Sequence, residues 1–456
     1  MLHAIHDFLP RHRAGSEIYA AELCKALSSQ HHVTVVCAEY DPLQHHGDLR
    51  WRLYEGLPVA ELVNNWVTDS FRDTYASPVI TSRLRSVLNA VQPHVLHVHN
   101  LLDLSFDLPA LAQEAGIPVV ATLHDYTLVC ASGGQRVHRA DEHICTAIDT
   151  ARCARCFSES PFYSKMAIGP LAKATGRPGP LRQAAALVAR RFPTLTRSAA
   201  SLAQKAAAPV VSTADLDARM DAAARVFRHV DRFVAPSPSL ADEYRRLGVA
   251  ADVIEVSDYG FVPLGSLARR PRSGPLRIGF VGTLVWHKGV HVLIDAIRRL
   301  APDACLVSIH GDPNVFPDYS AQLRARADGY PIRFEGGFTR EALPRVYGAM
   351  DILVVPSLWP ENSPLVIHEA FMAGVPVVGA RSGGIVDLVR DGLNGLLYEP
   401  TSGAALAEAV QRLLDGPALL EQLVRGIPAV KSIAQDAAEW DARYRAVLAA
   451  RGVTPA

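Results

Sequence analysis

The chain has 456 residues, enough for two or three domains that each bury a core. Its 46 Lys and Arg residues balance 46 Asp and Glu residues, so the overall charge does not indicate nucleic-acid binding. No apolar run approaches the roughly 18–20 residues that span a bilayer, and the first ten residues lack the charged start of a signal peptide. We therefore expect a cytoplasmic location, where thiols stay reduced.

Strands and helices alternate along the first half of the chain, which is typical of a parallel, doubly wound sheet. Ligand sites in such sheets lie at the carboxyl ends of the strands. A helix is predicted over residues 17–28. The strand candidates are residues 2–6, 33–37, 95–99, 119–123, 232–235 and 254–257.

Two positions in this half follow predicted strands. Gly15 and Ser16 precede the helix that opens at Glu17, and a glycine there lets the backbone approach a phosphate closely. A simple tight turn is the alternative. His124 ends the strand over residues 119–123, at the edge of the predicted cleft. The alternative for His124 is a structural histidine with satisfied hydrogen bonds.

Four cysteines lie within 27 residues of each other, directly after His124. They are Cys130, Cys145, Cys153 and Cys156, and the last two form a C-x2-C pair. Four thiolates could close a tetrahedral structural zinc site. Free thiols, an Fe–S ligand set and disulfides are the alternatives. A metal at this position would order a lid beside the predicted cleft and would take no part in catalysis.

Residues 160–214 carry eight Lys and Arg side chains and no Asp or Glu. They belong to a Cys-rich and basic helical insertion that we place at residues 130–230. Such a segment could lie on the anionic inner face of a membrane, where each basic residue contributes about 1 kcal/mol. A solvated insertion is the alternative.

The second half repeats the alternation of strands and helices. A linker is predicted over residues 263–275, where Gly, Pro and Arg replace the periodic apolar residues. The final helix is predicted over residues 434–448, with Trp440 and Tyr444 on one face. The strand candidates are residues 277–281, 305–310, 332–335, 352–356 and 375–379.

The segment over residues 360–370, PENSPLVIHEA, joins a loop to a helix. Ser363 is predicted to be the N-cap, with Pro364 at the first helical position. A helix N-terminus is a ready anion site for a phosphate or diphosphate. Glu361 precedes this end, and Glu369 lies about one and a half turns inside, where it could accept hydrogen bonds from a ribose. An acidic flank plus one solvated helix Glu is the alternative.

Lys288 follows the turn after Gly282 and could meet a diphosphate as a point charge. An exposed lysine is the alternative. Thr283 comes directly after the glycine. The expected substrate-binding residues are Gly15, Ser16, Thr283, Asn362, Ser363, Leu365, Val366 and Glu369.

These segments resemble a family 4 retaining glycosyltransferase with the GT-B fold. The resemblance rests on residues 14–17, 122–125, 277–298, 360–370 and 374–400, and on the Glu-x7-Glu spacing of Glu361 and Glu369. It covers residues 1–130 and 230–450. Two departures are a first loop with one glycine, and Thr283 where many members have Arg.

The resemblance implies two Rossmann-like domains facing a cleft. Residues 1–265 would form the acceptor-binding domain, residues 270–433 the nucleotide-sugar domain, and residues 434–456 a helix crossing back to the first domain. The implied catalytic residues are Glu361, which orients the donor sugar, Lys288, which meets the diphosphate, and His124, which fixes the reacting sugar or the incoming hydroxyl. Glu369 would hold the ribose. The implied outcome is retention at the anomeric carbon.

The expected reaction is transfer of a sugar from a nucleotide-diphosphate sugar to a glycan or lipid-linked acceptor, in lipid-linked or cell-surface polysaccharide synthesis. No Asp-x-Asp motif follows a predicted strand convincingly, so we expect no cofactor to be required for catalysis. We expect no nucleic-acid partner, and a peripheral contact with the inner membrane face through residues 160–214. A nucleotide-sugar epimerase, a phosphorylase and a non-catalytic sugar-binding scaffold are the alternatives.

Overall fold

The computed structural model describes residues 1–41, 43–166, 210–265 and 274–452. The described chain contains two large sheets of mainly parallel strands, each flanked by helices. This confirms the predicted α/β class with two Rossmann-like domains. The predicted linker and the basic segment lie largely outside the described residues, and the domain boundaries remain a prediction.

The first sheet has eight strands in the order β10-β9-β6-β5-β1-β2-β4-β3. All neighbours are parallel except β3 and β4, which form an antiparallel hairpin at one edge. The central strands are buried along their whole length, because helices cover both faces. The strands are β1 (Leu2–Ile5), β2 (Thr34–Glu39), β3 (Leu49–Tyr54), β4 (Leu57–Val63), β5 (Leu96–Val98), β6 (Val119–Thr122), β9 (Arg232–Ala235) and β10 (Ile254–Val256).

The second sheet has six parallel strands in the order β13-β12-β11-β14-β15-β16. A short antiparallel pair, β7 (Val137–His138) with β8 (His143–Ile144), lies in the Cys-rich part of the chain. The strands of the second sheet are β11 (Leu276–Val281), β12 (Cys305–His310), β13 (Ile332–Gly336), β14 (Ile352–Val355), β15 (Val377–Ala380) and β16 (Gly395–Tyr398).

Helices connect the parallel strands, as right-handed crossovers require. Those of the first half are α1 (Gly15–Leu27), α2 (Asp73–Ala76), α3 (Pro78–Val91), α4 (Leu108–Glu114), α5 (Thr150–Ser158), α6 (Thr213–Arg228) and α7 (Pro238–Arg246). Those of the second half are α8 (Val290–Ile297), α9 (Pro317–Ala327), α10 (Leu343–Gly348), α11 (Leu365–Met372), α12 (Gly384–Leu388), α13 (Gly403–Asp415), α14 (Pro417–Arg425) and α15 (Ile433–Ala450). No helix in the described ranges is long and apolar enough to cross a membrane.

The last helix, α15, packs on α1 of the first half. Trp440 and Tyr444 on its predicted face are almost fully buried there. Tyr19 on α1 donates to Asp436 at 2.8 Å, and Trp440 Nε1 donates to the Tyr19 hydroxyl at 3.0 Å. These buried hydrogen bonds fix the C-terminal helix to the first sheet's layer of helices, beside the cleft.

The hairpin β3–β4 and strand β16 were absent from the predicted elements. In the hairpin, Glu55 and Gly56 have φ values of 47° and 88°, the positive pair that a two-residue type I′ turn requires. Arg50 and Arg52 both pair with Glu61 on the neighbouring strand. The two arginines of β3 thus share one carboxylate of β4.

Candidate functional site

An ion pair between Lys288 and Glu361 joins the turn after β11 to the loop between β14 and α11. Lys288, at the end of a 3₁₀ turn, donates from Nζ to Glu361 Oε1 at 2.6 Å. Ser357 donates to the same oxygen at 2.5 Å. The Glu361 side chain is 6% exposed and that of Lys288 26%, so the pair is shielded from most solvent. The ammonium also lies 5.4 Å from the centre of the Trp359 ring.

Two glycines at the start of α12 hold the backbone of this loop in place. The amide of Gly384 donates to the carbonyl of Glu361. A Cβ at Gly384 would lie 1.9 Å from the carbonyl oxygen of Asn362, and one at Gly383 would lie 2.5 Å from that of Glu361. Gly383 also has a φ of 50°, which disfavours side chains. Only glycine therefore fits against the loop that presents Glu361.

Helix α11 begins one residue later than predicted. Its N-cap is Pro364, and Ser363 makes no capping bond. Instead, the Ser363 hydroxyl donates to Asp258 at 2.9 Å and lies 3.0 Å from His368 Nε2. The prediction of Ser363 as N-cap was wrong, because tertiary partners compete for its hydroxyl. The first-turn amides of Leu365 and Val366 still lack intrahelical acceptors, as at any helix start.

A cavity of about 430 Å³ lies on the second-sheet side of the cleft. Glu369 lines it and accepts a hydrogen bond from the Tyr347 hydroxyl at 2.7 Å. Burial raises the pKa of Glu369 above its ordinary range. The cavity combines an apolar wall with this carboxylate, Lys288 and the start of α11. Its other lining residues include Arg13, Gly282, Thr283, Arg340, Leu343 and Val366.

A second cavity, of about 340 Å³, lies on the first-sheet side. It is lined by Ser16, His124, Asp125 and Asn362, among others. The two cavities share one group of lining residues, which are Ala14, Gly15, Lys288, Glu361, Pro364 and Leu365. The ion pair and the start of α11 therefore stand at the junction of the two cavities.

Gly15 brings the two halves of the chain into contact. A Cβ at this position would lie 2.9 Å from Leu365 Cδ1, so the first loop approaches α11 closely. Ser16 donates to Glu17 at 3.0 Å. Thr283 lies on the opposite side, in the wall of the larger cavity. The structure thus places Gly15 and Ser16 across the cleft from Thr283, Lys288 and Glu361.

His124 belongs to a row of hydrogen-bonded rings that runs into the first sheet. Its Nδ1 lies 2.9 Å from the Tyr259 hydroxyl and its Nε2 lies 3.1 Å from His99 Nδ1. His99 Nε2 in turn lies 3.0 Å from His3 Nδ1. Burial lowers the pKa of His99 and of His124 well below its ordinary value. Both nitrogens of His124 are engaged, which favours a positioning role over proton transfer.

Asn362 links the two halves at the smaller cavity. Its Nδ2 donates to the carbonyl of His124 at 2.7 Å. Its Oδ1 is buried and has no hydrogen-bond partner in the described part of the chain. His6 lines the same cavity, lies 3.3 Å from Glu17, and likewise has an unpartnered buried nitrogen, Nδ1. Because unpaired buried polar atoms are costly, both atoms suit a polar ligand.

Several site residues escaped the sequence reasoning. His6 directly follows β1, at the carboxyl end of a strand, and Glu17 directly follows Ser16; both positions could have marked them as cleft residues. Ser357 and Trp359 lie directly before Glu361 in the sequence and could have been included with it. Tyr259 and Tyr347 are distant in sequence and carried no local signal.

The four clustered cysteines are free and partly buried. Cys153 and Cys156 lie on α5, and Cys145 directly follows β8. The cluster borders the smaller cavity through the segment that contains Gly133 and Gln135. The zinc site predicted at these four cysteines stays a prediction.

Two protein-family models match the chain. The model described as "Glycosyltransferase Family 4" matches residues 13–165, and that described as "Glycosyl transferases group 1" matches residues 275–416. The first includes Gly15, His124 and all four clustered cysteines. The second includes Lys288, Glu361 and Glu369.

Curated relatives match part of the chain. A glycogen synthase of Mycobacterium tuberculosis is 32% identical over 204 residues, which are 43% of this chain and 49% of the relative. A D-inositol 3-phosphate glycosyltransferase of Corynebacterium glutamicum is 39% identical over 159 residues, or 32% and 38% of the two chains. The chain thus spans about half the length, or less, of these relatives.

Solved structures match over nearly the whole chain. A sucrose-phosphate synthase from Thermosynechococcus elongatus has a TM-score of 0.65 at 17% identity and covers 98% of this chain and 99% of its own. Anabaena HepE in complex with UDP and glucose has a TM-score of 0.60 at 16% identity, with 97% and 98% coverage. At this identity the likeness shows the fold alone.

Proposed function

We propose that this chain, which belongs to the family 4 glycosyltransferases, transfers a sugar from a nucleoside-diphosphate sugar to a hydroxyl acceptor. The observation that carries the proposal is the junction of two cavities at Lys288 and Glu361. One cavity suits a nucleotide and the other suits sugar and acceptor. The bond between diphosphate and sugar would then lie where both cavities share their walls.

The leaving diphosphate needs positive partners as its charge develops. Lys288 Nζ and the amides of Leu365 and Val366 border the junction and are already oriented by the fold. Preorganised donors of this kind stabilise a developing anion without reorganisation. We propose that they bind the diphosphate and that catalysis requires no divalent metal. The lysine carries more of this task because Thr283 stands where many relatives have Arg.

Glu361 would orient the donor sugar. Lys288 and Ser357 both bond Oε1, so Oε2 is left to accept a sugar hydroxyl, as judged from the described residues. A carboxylate held from one side by a cation and a hydroxyl has little rotational freedom. The same carboxylate would also favour positive charge on the anomeric carbon in the transition state.

Glu369 would hold the ribose of the donor. It lines the larger cavity and not the smaller one, and the Tyr347 hydroxyl fixes its orientation at 2.7 Å. Two vicinal hydroxyls can both donate to one carboxylate. The raised pKa reflects a carboxylate short of donors, which a ribose would supply.

The acceptor side would use Asn362 and His6, which line the smaller cavity and each have one buried polar atom without a partner in the described residues. His124 would position the sugar through its ring and through the carbonyl that binds Asn362. We propose retention at the anomeric carbon, the outcome that the resemblance to retaining family 4 enzymes implies.

For the acceptor, we propose a lipid-linked or cell-surface glycan. The support is the sequence of residues 160–214, with eight basic and no acidic side chains. Cosedimentation with vesicles tests this part alone. Binding to phosphatidylglycerol-containing vesicles that is absent with phosphatidylcholine alone would support it, and equal failure with both would contradict it.

The experiment for the central proposal is a thermal-shift panel of UDP-, GDP-, ADP- and dTDP-sugars, each with and without EDTA. A donor at 100 times its Kd should stabilise the fold by about 2.7 kcal/mol. A selective shift that persists in EDTA supports a metal-independent donor site. Product analysis without an acceptor separates transfer from epimerisation, since an epimerase would change the sugar of the donor itself.

A further inference from the structure

The fold brings the four cysteines into one region of the chain. Val137 of β7 pairs with Ile144 of β8, which places Cys145 at the end of that hairpin. Cys156 Sγ lies 3.9 Å from the Val137 carbonyl oxygen, so α5 lies against the hairpin. Cys153 is three residues earlier on α5 and therefore on the same helix face.

Cys130 reaches the same place from the loop after β6. Helix α5 packs on α6, and Arg219 of α6 donates to the carbonyls of Thr127 and Leu128 at 2.5 and 2.9 Å. Those carbonyls precede Cys130 by only two or three residues.

Arg219 is a buried cation for which the cysteines could supply the counter-charge. Arg219 is 4% exposed, and its guanidinium lies over Phe106 and bonds only neutral carbonyls. No carboxylate pairs with it in the described ranges, and the remaining residues contain no Asp or Glu side chain. A buried cation without a counter-charge is costly. Its bond to the Leu128 carbonyl places it near Cys130, two residues further along the chain, where a thiolate could supply that charge.

We propose that Cys130, Cys145, Cys153 and Cys156 bind one structural Zn²⁺ as a tetrathiolate, whose net charge of −2 supplies the counter-charge for the buried Arg219. Four thiolates and one divalent ion give this charge, and closed four-sulfur sites are the usual structural zinc sites. No three of the sulfurs lie within 4.8 Å of one another, so rotation about Cα–Cβ must draw them together on binding.

The site would stabilise the wall of the smaller cavity. Gly133 and Gln135 line that cavity and lie in the chain between Cys130 and Cys145. Tying both ends of this segment to one ion would limit its motion. The zinc proposal does not depend on the proposed glycosyl transfer, because it concerns metal content and stability.

The test is metal analysis of untagged protein purified without chelators. We expect about one zinc per chain, and release of that zinc by about four equivalents of an organomercurial thiol reagent. The variant Cys153→Ser/Cys156→Ser should lose the zinc, whereas Cys24→Ala, at a buried cysteine of α1, should keep it. Should the double variant fail to fold, the thiol titration of the wild-type protein decides.

Four results would overturn the proposal: folded wild-type protein without zinc, iron with acid-labile sulfide in its place, disulfides among the four cysteines, or zinc that persists in a folded double variant. As a second readout, Arg219→Met should lower zinc retention against a competing chelator at least tenfold. Unchanged retention in that variant would contradict the role of the buried arginine.

Discussion

Lys288 and Glu361 form a 2.6 Å ion pair between the turn after β11 and the loop before α11. The pair stands where the two cavities share their walls. A shielded pair holds its members in one geometry far more firmly than a surface pair does. Its position therefore fixes both the cation for a leaving diphosphate and the carboxylate for a donor sugar.

The first prediction concerns Lys288→Ala. Removing a preorganised donor to a developing anion typically lowers turnover by about 100-fold or more. We expect a loss of that size in nucleoside-diphosphate release, measured by a coupled assay. The matched control is Lys25→Ala, because Lys25 forms an exposed pair with Glu55 away from both cavities' junction. Equal rates for both variants would remove Lys288 from the site.

Glu369→Gln should have opposite effects on binding and on stability. Losing a charged acceptor should weaken donor binding by about 1–3 kcal/mol. Because burial raises the pKa of Glu369, the folded state favours the protonated form, and ionisation near neutral pH costs stability. The ligand-free variant should therefore melt higher than wild type at pH 7–8, and this difference should vanish below about pH 4.

Calorimetric titration and melting curves across that pH range check both parts. Unchanged donor affinity in the Gln variant would contradict the ribose assignment. A variant that melts lower at neutral pH would contradict the effect of burial.

Gly384→Ala should disturb the loop that presents Glu361. The new Cβ would meet the Asn362 carbonyl oxygen at 1.9 Å, so the backbone must move. We expect a destabilisation of about 1–3 kcal/mol in urea unfolding, together with a loss of activity. Gly265→Ala is the control, since nothing lies within 4 Å of a Cβ at that position. Wild-type behaviour of Gly384→Ala would show that the loop tolerates displacement.

The buried histidines predict acid sensitivity. Burial lowers the pKa of His3 to about 3 and that of His97 and His99 well below the ordinary value. The unfolded chain therefore binds more protons below about pH 6.5, and stability should fall as pH decreases, by about 1.4 kcal/mol per pH unit for each histidine.

Urea unfolding at several pH values between 7.5 and 5 measures this slope. His3→Gln should reduce the slope by about 1.4 kcal/mol per pH unit, the contribution of one histidine. His94→Gln, at an exposed site, should leave the slope unchanged. A flat pH dependence in wild type would mean that these histidines are not buried as described.

Local sequence predicted much of the fold. An apolar run marks β9 (Arg232–Ala235), and alternating buried residues mark β12 (Cys305–His310), so both strands match their predictions to the residue. The hairpin β3–β4 was missed because Arg50 and Arg52 interrupt its apolar pattern. Their charges are satisfied by Glu61, a contact that only pairing with the neighbouring strand creates.

Local sequence likewise predicted some of the site residues and missed others. The Glu361–Glu369 spacing lies in one short segment and was readable from the sequence. The hydroxyl of Ser363 could not be placed, because its partners Asp258 and His368 come from outside the local capping pattern. Likewise, Tyr347 and Tyr259 bind Glu369 and His124 through tertiary contacts.

The most direct test of the central claim is nucleoside-diphosphate release from the best-bound sugar nucleotide, compared between wild type, Lys288→Ala and Lys25→Ala in the presence of EDTA. We predict that wild type and Lys25→Ala release the diphosphate at equal rates and that Lys288→Ala is slower by about 100-fold or more. Equal release by all three proteins, or no release with any donor by wild type, would contradict a transferase site at the junction of the two cavities.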